Sequence, residues 1–94
     1  MKKILNAPET YTDDMLKGIY AAHGKQVKHA GDDLRCYCIK EKTPGKVAII
    51  TGGGTGHLPL VLGYVGKRLL DGCGVGDVFQ SPSAAQIFNL SKEV

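Results

Sequence analysis

An α/β fold, built on the N-terminal part of a parallel or mixed sheet with flanking helices and incomplete as a domain, is what the 94-residue sequence predicts. Three observations carry this. Val47-Ala48-Ile49-Ile50 is a continuous β-prone apolar run, as expected of a parallel strand covered on both faces. A glycine-rich loop follows it at once. A second apolar run and a helix-capping signal come next, so strand and helix signals alternate. The chain divides near Pro44-Gly45. Residues 1–45 read as a helical and extended segment, and residues 46–94 as a βαβα unit with the glycine loop inside it.

The elements follow in order. Residues 10–23 read as a helix. Thr12 is its expected cap, Asp13 and Asp14 sit where the helix dipole favours anions, and Gly24 is the stop. Leu16, Ile19, Tyr20 and His23 share helical spacing and are expected to form one buried or half-buried stripe, with His23 a helix-end residue rather than a catalyst. His29 has no constellation of chemistry-bearing residues around it in the sequence. Residues 34–39 read as a strand, with Leu34, Cys36 and Cys38 on one face and Arg35 and Tyr37 on the other. The strongest strand is 46–51. After the loop, Pro59 suits the first turn of a helix running to about Leu70, which Asp71-Gly72 would end. Residues 75–79 read as a second strand. Ser83 caps a final helix, Gln86 completes a capping box, and Ile87, Phe88 and Leu90 supply its apolar side.

Composition excludes several classes. Apolar residues make up 43% of the chain and charged residues 22%, which suits a soluble globular protein rather than a disordered one. No apolar run approaches the ~20 residues of a membrane span, and the opening Met1-Lys2-Lys3 leads into Asn6, Pro8 and Glu9 rather than a secretory signal. The net charge of +3 comes from residues 1–46, where nine Lys or Arg face six acids. That excess is spread out and gives no nucleic-acid stripe. Three cysteines, an odd count, favour a reducing cytoplasm over a secreted disulfide framework. Cys36-x-Cys38 lacks a paired partner near Cys73, so small buried side chains are expected there and not a metal site.

The loop carries the chemistry. Nine of thirteen glycines fall between Gly52 and Gly76. Each costs backbone entropy, so the chain needs either positive φ or a close approach of backbone to something. At the carboxyl end of a parallel strand that something is usually a ligand. Two phosphate fingerprints fail: a Walker A loop starting at Gly52 meets His57 at its sixth position with no Lys after it, and the dinucleotide pattern ends on His57 or Pro59. His57 instead sets an imidazole at the lip of a backbone-lined pocket, where it can exchange a proton with a ligand hydroxyl near neutral pH. A glycine turn followed by a helix-start histidine is the bland alternative.

These residues carry a resemblance. The run from Lys46 through Thr51-Gly52-Gly53-Gly54-Thr55-Gly56-His57, then Pro59, Gly63-Tyr64-Val65-Gly66-Lys67, Leu70-Asp71, Asp77-Val78-Phe79, Ser81-Pro82 and Gln86-Ile87, resembles the N-terminal region of the dihydroxyacetone kinase substrate-binding subunit family. The opening 1–6 is similar too. The resemblance covers nearly the whole chain, most clearly 46–88. The family hallmark, a GGGSGHEP-like segment, reads here with Thr55 for Ser and Leu58 for Glu.

The resemblance implies a larger α/β protein, usually dimeric, that binds dihydroxyacetone for phosphorylation. In that family a histidine well downstream of this stretch holds the ketone as a covalent hemiaminal. Phosphate comes from a separate helical nucleotide-binding domain or subunit, where ATP or ADP with magnesium is expected; one version uses ATP directly and another is recharged through the phosphotransferase system. No cofactor is expected in this chain. The family's substrate-touching residues match Gly54 and His57, with Gly53 and Ser81 as weaker carry-overs and His57 as the catalytic candidate. Leu58 replaces an acid near the pocket, and Lys67-Arg68 is a basic pair where the family has small residues. The downstream histidine falls beyond Val94, so this stretch alone is expected to be inactive. Two alternatives stand beside this reading: a non-catalytic dihydroxyacetone-sensing or regulatory paralogue, and an unrelated small α/β interaction domain.

Overall fold

A computed structural model describes Lys3, residues 6–58 and residues 62–94. Pro59, the expected start of the middle helix, and most of the 1–6 opening lie outside the described residues. The fold is mixed α/β. Helix α1 (Tyr11–His23) leads into a hairpin of β1 (Val27–Ala30) and β2 (Asp33–Ile39), then β3 (Ile50–Gly53), β4 (Gly72–Val75) and helix α2 (Ala84–Glu93). The sheet order is β1-β2-β4-β3. β3 and β4 are parallel, and the other two pairings are antiparallel.

The two helices cover opposite faces. On the α1 side, Leu16, Val27, Tyr37, Ile39, Leu62, Val65, Cys73 and Val75 form one buried cluster, and the Tyr37 hydroxyl donates to the Leu16 carbonyl at 2.8 Å. On the α2 side, Ala30, Cys36 and Cys38 pack under Leu90. The strand alternation expected for β2 thus holds for Cys36 and Cys38 against Tyr37, while Leu34 is exposed. Burial pushes the Cys36 and Cys73 thiols up to about 12, which leaves them as inert packing groups.

Several elements differ from the sequence expectation. Residues 27–30, read as irregular, pair as β1; Gly31 takes a positive φ of 61° to close the hairpin. Thr12 does not cap α1, because the helix starts at Tyr11 and buries Thr12 in its first turn; the N-cap residue is Thr10, whose hydroxyl reaches back to the Ala7 carbonyl. Over residues 62–70 there is no α-helix. A 3-10 turn (Leu62–Tyr64) and a tight turn at 66–69, with Arg68 at a φ of 67°, close a Val65–Leu70 bridge instead. Gly63 and Gly66 interrupt any helix there, since glycine is a poor helix former. The expected strand at 75–79 is shifted: β4 is Gly72–Val75, and 77–80 is a turn with Phe79 94% exposed.

The strongest expected strand, 46–51, pairs only from Ile50. Upstream, the Asp71 carboxylate takes over the role of a ladder. Its Oδ2 accepts from Lys46 Nζ at 2.6 Å and from the Ile49 amide at 2.8 Å, and the Asp71 amide donates to the Ile49 carbonyl at 2.8 Å. These bonds hold the Asp71 carboxyl below its usual range. The two-sided burial expected of this run is not realised: Val47 and Ile49 precede the paired residues and stay 83% and 53% exposed, and β3 is an edge strand.

α2 matches its sequence signature. Ser83 Oγ accepts from the Gln86 amide at 3.2 Å, and the Ser83 amide donates to Gln86 Oε1 at 2.7 Å. Phe88 is the exception on the expected apolar side: it is exposed beneath Lys92. Among the described residues no helix is long and apolar enough to cross a membrane.

Candidate functional site

The glycines divide into two groups by what they touch. Gly52, Gly72 and Gly74 lie under α2. A Cβ on Gly72 would meet Leu90 Cδ1 at 2.8 Å, and one on Gly52 or Gly74 would meet Ile87 Cδ1 at 3.2 Å. A bare backbone lets the Leu90 and Ile87 side chains seat directly on the sheet, where a Cβ would make them shift. The second group, Gly54, Gly56 and Gly76, faces the 77–80 turn. A Cβ on Gly54 would lie 3.0 Å from the Asp77 and Val78 carbonyl oxygens, and one on Gly56 would lie 2.5 Å from the Val78 oxygen. A Cβ on Gly76 would overlap the Gln80 carbonyl outright. None of these six glycines has a positive φ. Close approach within the protein's own fold, not left-handed backbone, is their reason.

The loop is zipped to that turn. The Thr55 amide donates to Asp77 O at 3.0 Å and the Gly56 amide to Val78 O at 2.9 Å. The His57 and Leu58 amides return to Gly54 O and Thr55 O, and the Gly76 amide donates to Gly53 O at 2.9 Å. The Gly54 amide has no backbone acceptor among the described residues. So most loop N–H groups are already used, and Gly54 is the loop position left to meet a ligand oxygen.

Of the predicted site residues, Gly53 and Gly54 lie at the carboxyl ends of the parallel pair β3 and β4. Gly53 pairs with Val75 in the ladder. Gly54 sits against Asp77 and Val78, and Ser81 passes 2.7 Å from where a Gly76 Cβ would be. Ser81 is exposed, and so is the His57 ring, which makes no side-chain hydrogen bond among the described residues. His57 belongs to a 3-10 turn (Thr55–His57), not to a helix start. Leu58 is half-buried and packs against the α1-side cluster, so the residue that replaces the family's acid serves the core.

Two features escaped the sequence. Thr55 is 5% exposed, and its hydroxyl has no hydrogen-bond partner among the described residues. The 77–80 turn, read as strand, forms one wall of the site. The glycines that would clash with it were the signal, but nothing in the sequence says which backbone they approach.

Comparison with known proteins settles the lineage. The Dak1 domain family matches residues 17–94. The chain belongs to the Dak1 domain family. Over 94% of its length it is 41% identical to the dihydroxyacetone-binding subunit DhaK of the PTS-dependent dihydroxyacetone kinase 1 of Listeria innocua serovar 6a, of which it spans 26%. The crystal structure of the C. freundii dihydroxyacetone kinase with AMP-PNP and Mg2+ superposes with a TM-score of 0.78 at 28% identity, over 92% of this chain and 17% of that one. The dihydroxyacetone kinase operon co-activator DhaQ superposes with a TM-score of 0.72 at 30% identity, over 84% of this chain and 24% of that one. This Dak1 chain therefore spans about a quarter of the length of the curated relatives it matches first.

Proposed function

We propose that this Dak1 chain contributes the substrate-orienting loop of a dihydroxyacetone-binding kinase unit. The observation that carries the reading is the Gly54 amide, without a backbone acceptor among the described residues, three residues before the exposed His57, while the neighbouring loop amides are used. A ketose oxygen placed there accepts from Gly54 N–H. The His57 imidazole meets the hydroxyl to be phosphorylated and takes up its proton as the oxygen attacks. The Ser81 hydroxyl supplies a second contact on the opposite lip, and Gly53 lines the floor as bare backbone.

The phosphoryl donor belongs elsewhere. The Thr55, Gly56, His57 and Leu58 amides are hydrogen-bonded within the fold, and no lysine follows the loop at the phosphate-loop spacing, so these residues do not fit a nucleotide. We place ATP or ADP with magnesium on a separate helical nucleotide-binding subunit or domain, where it supplies the transferred phosphoryl group. Further parts of the reading are a cytoplasmic setting, a homo-oligomeric assembly, and inactivity of the 94 residues alone. Titration of the isotope-labelled chain with millimolar dihydroxyacetone tests it. Shifts at Gly54, His57 and Ser81 are the expected result, and none at saturating ketone would overturn the reading.

With membership of the Dak1 family established, one second reading keeps an observation of its own. The likeness to the co-activator DhaQ fits a sensing or regulatory paralogue that binds the ketone without phosphorylating it. Turnover in the presence of a nucleotide-binding subunit separates the two.

A further inference from the structure

Arg35 stands between two acids that belong to different parts of the fold. Its Nη1 lies 2.9 Å from Asp77 Oδ1, at the start of the 77–80 turn. Its Nη2 lies 3.5 Å from Asp13 Oδ1, in the first turn of α1. The Arg35 side chain is only 27% exposed, so this guanidinium is largely enclosed by what it bridges. A planar fork with separate donors can serve two carboxylates at once, which a single ammonium cannot do in the same geometry.

Asp77 stands at the wall of a cleft. A cavity of about 730 Å³ opens between Tyr11 and Thr12 on one side and Asp77, Val78, Phe79 and Gln80 on the other. Asp13 follows Thr12 in the chain, so the Arg35 bridge ties the α1 segment on one side of the cleft to the turn on the other.

That turn is the wall that holds the glycine loop. Asp77 O accepts from both the Thr55 amide, at 3.0 Å, and the Gln80 amide, at 3.2 Å. Val78 O accepts from the Gly56 amide. Any movement of Asp77 shifts these acceptors together and carries the Gly54 amide and His57 with them. Without Arg35, the Asp13 and Asp77 carboxylates would lose their shared cation and be left with mutual repulsion.

We propose that Arg35 is a positioning residue for the substrate loop: by clamping Asp77 to Asp13 it fixes the 77–80 turn and, through it, the placement of Gly54 and His57. The proposal rests on the dihydroxyacetone-binding reading of that loop. Arg35 touches no substrate in it.

The test compares amide hydrogen exchange in the wild-type chain, Arg35→Met, Asp77→Asn, the double variant and Arg35→Lys. Arg35→Met should speed exchange at Thr55 and Gly56 about tenfold, the effect of one lost charge-assisted contact, with amides that open only on global unfolding, such as those of Tyr37 and Cys73, rising by no more than the same factor. The double variant should exchange no faster than Arg35→Met, and Arg35→Lys should recover part of the protection. In a parallel dihydroxyacetone titration read at Gly54, at a temperature where the variant is fully folded, Arg35→Met should weaken apparent affinity about tenfold. Exchange within twofold of wild type at Thr55 and Gly56, or an unchanged affinity in the folded variant, overturns the clamp. If Arg35→Met does not fold, Asp77→Asn decides by the same readout, since it removes the same contact at a carboxylate that is 53% exposed. Absence of any wild-type response to dihydroxyacetone would sink the binding reading, while the exchange pattern still decides the clamp.

Discussion

A single methyl group added at Gly56 tests why the loop is made of glycine. The Cβ of Gly56→Ala would lie 2.5 Å from the Val78 carbonyl oxygen and 3.3 Å from Val78 Cγ1. The first contact is about an ångström inside ordinary van der Waals distance, and its partner is backbone, which cannot rotate away. Either the 77–80 turn moves or the loop does. Both responses stretch the bond from the Gly56 amide to Val78 O, now 2.9 Å, and the adjacent one from Thr55 to Asp77 O. Overpacking of this kind costs roughly 1–3 kcal/mol, and a weakened hydrogen bond adds about 1 kcal/mol. The sum is about 3 kcal/mol, which lowers the melting temperature of a domain this size by roughly 12–24 °C.

Gly18→Ala is the matched control. Gly18 sits inside α1 with nothing within 4 Å of its Cβ position, so the same chemical change should stabilise by about 1 kcal/mol through helix propensity. Thermal or urea unfolding of the two variants therefore has a required sign for each. A Gly56→Ala protein within about 0.5 kcal/mol of wild type, well inside the ~1 kcal/mol of the weakest term, would refute the close-approach account.

Three other outcomes follow from the same geometry. In a complete kinase unit, His57→Ala should lower turnover roughly 10²–10⁴-fold if the imidazole moves the hydroxyl proton; turnover within twofold of wild type would leave His57 as a turn residue only. ATP and ADP should bind this chain no tighter than the ~mM range, because all loop amides from Thr55 to Leu58 are already bonded, and calorimetry showing micromolar affinity would contradict that. The Asp71 carboxyl is held low by Lys46 and then by the Ile49 amide, so its contribution is full above the ordinary value of 3.8 and is lost as pH falls through the lower folded value. Protection of the Ile49 amide, its exchange relative to the unstructured rate at the same pH, should accordingly fall on acidification below 3.8, and Asp71→Asn should cost about 2 kcal/mol and abolish that loss of protection; an unchanged acid profile in the variant would show another group responsible.

What the sequence made legible was local. The Ser83–Gln86 capping box needs only four neighbouring residues, and it forms as read. The two faces of β2 follow from the period of a strand, so Cys36 and Cys38 separate from Tyr37 as expected. Misreadings arose where a distant element decides. Gly72 and Gly74 look like loop punctuation until α2 is seen to pack on them. Residues 77–79 look like strand because Val78 and Phe79 are β-prone, yet Gly76 brings the chain round so that the turn's carbonyls meet the loop amides. β1 is short, and Lys28 and His29 hide its alternation; His29 is stacked 4.5 Å from the Tyr20 ring, and Lys28 reaches Glu93 on α2. The candidate site residues were named because a motif places them, whereas the Arg35 bridge depends on three segments meeting in space and leaves no mark along the chain.

The accounting of the glycines also changes what the loop can be asked to do. Six of them are explained by contacts inside the fold, so glycine richness alone is no evidence of a ligand cradle. The case for a ligand rests on what remains: one amide, one imidazole and one hydroxyl. Hydrogen bonds of this kind contribute about 0.5–1.5 kcal/mol each, and together they barely offset the cost of immobilising a small polar ketone. Affinity from these residues alone belongs in the millimolar range or weaker. On the proposed reading they would orient a substrate more than they retain it. Retention then has to come from a bond made outside these residues, which is the role the resemblance gives to a hemiaminal-forming histidine further along the family's chain. On this division the loop's useful property is its fixed geometry, and the 77–80 turn that sets that geometry matters as much as the residues that touch the ligand.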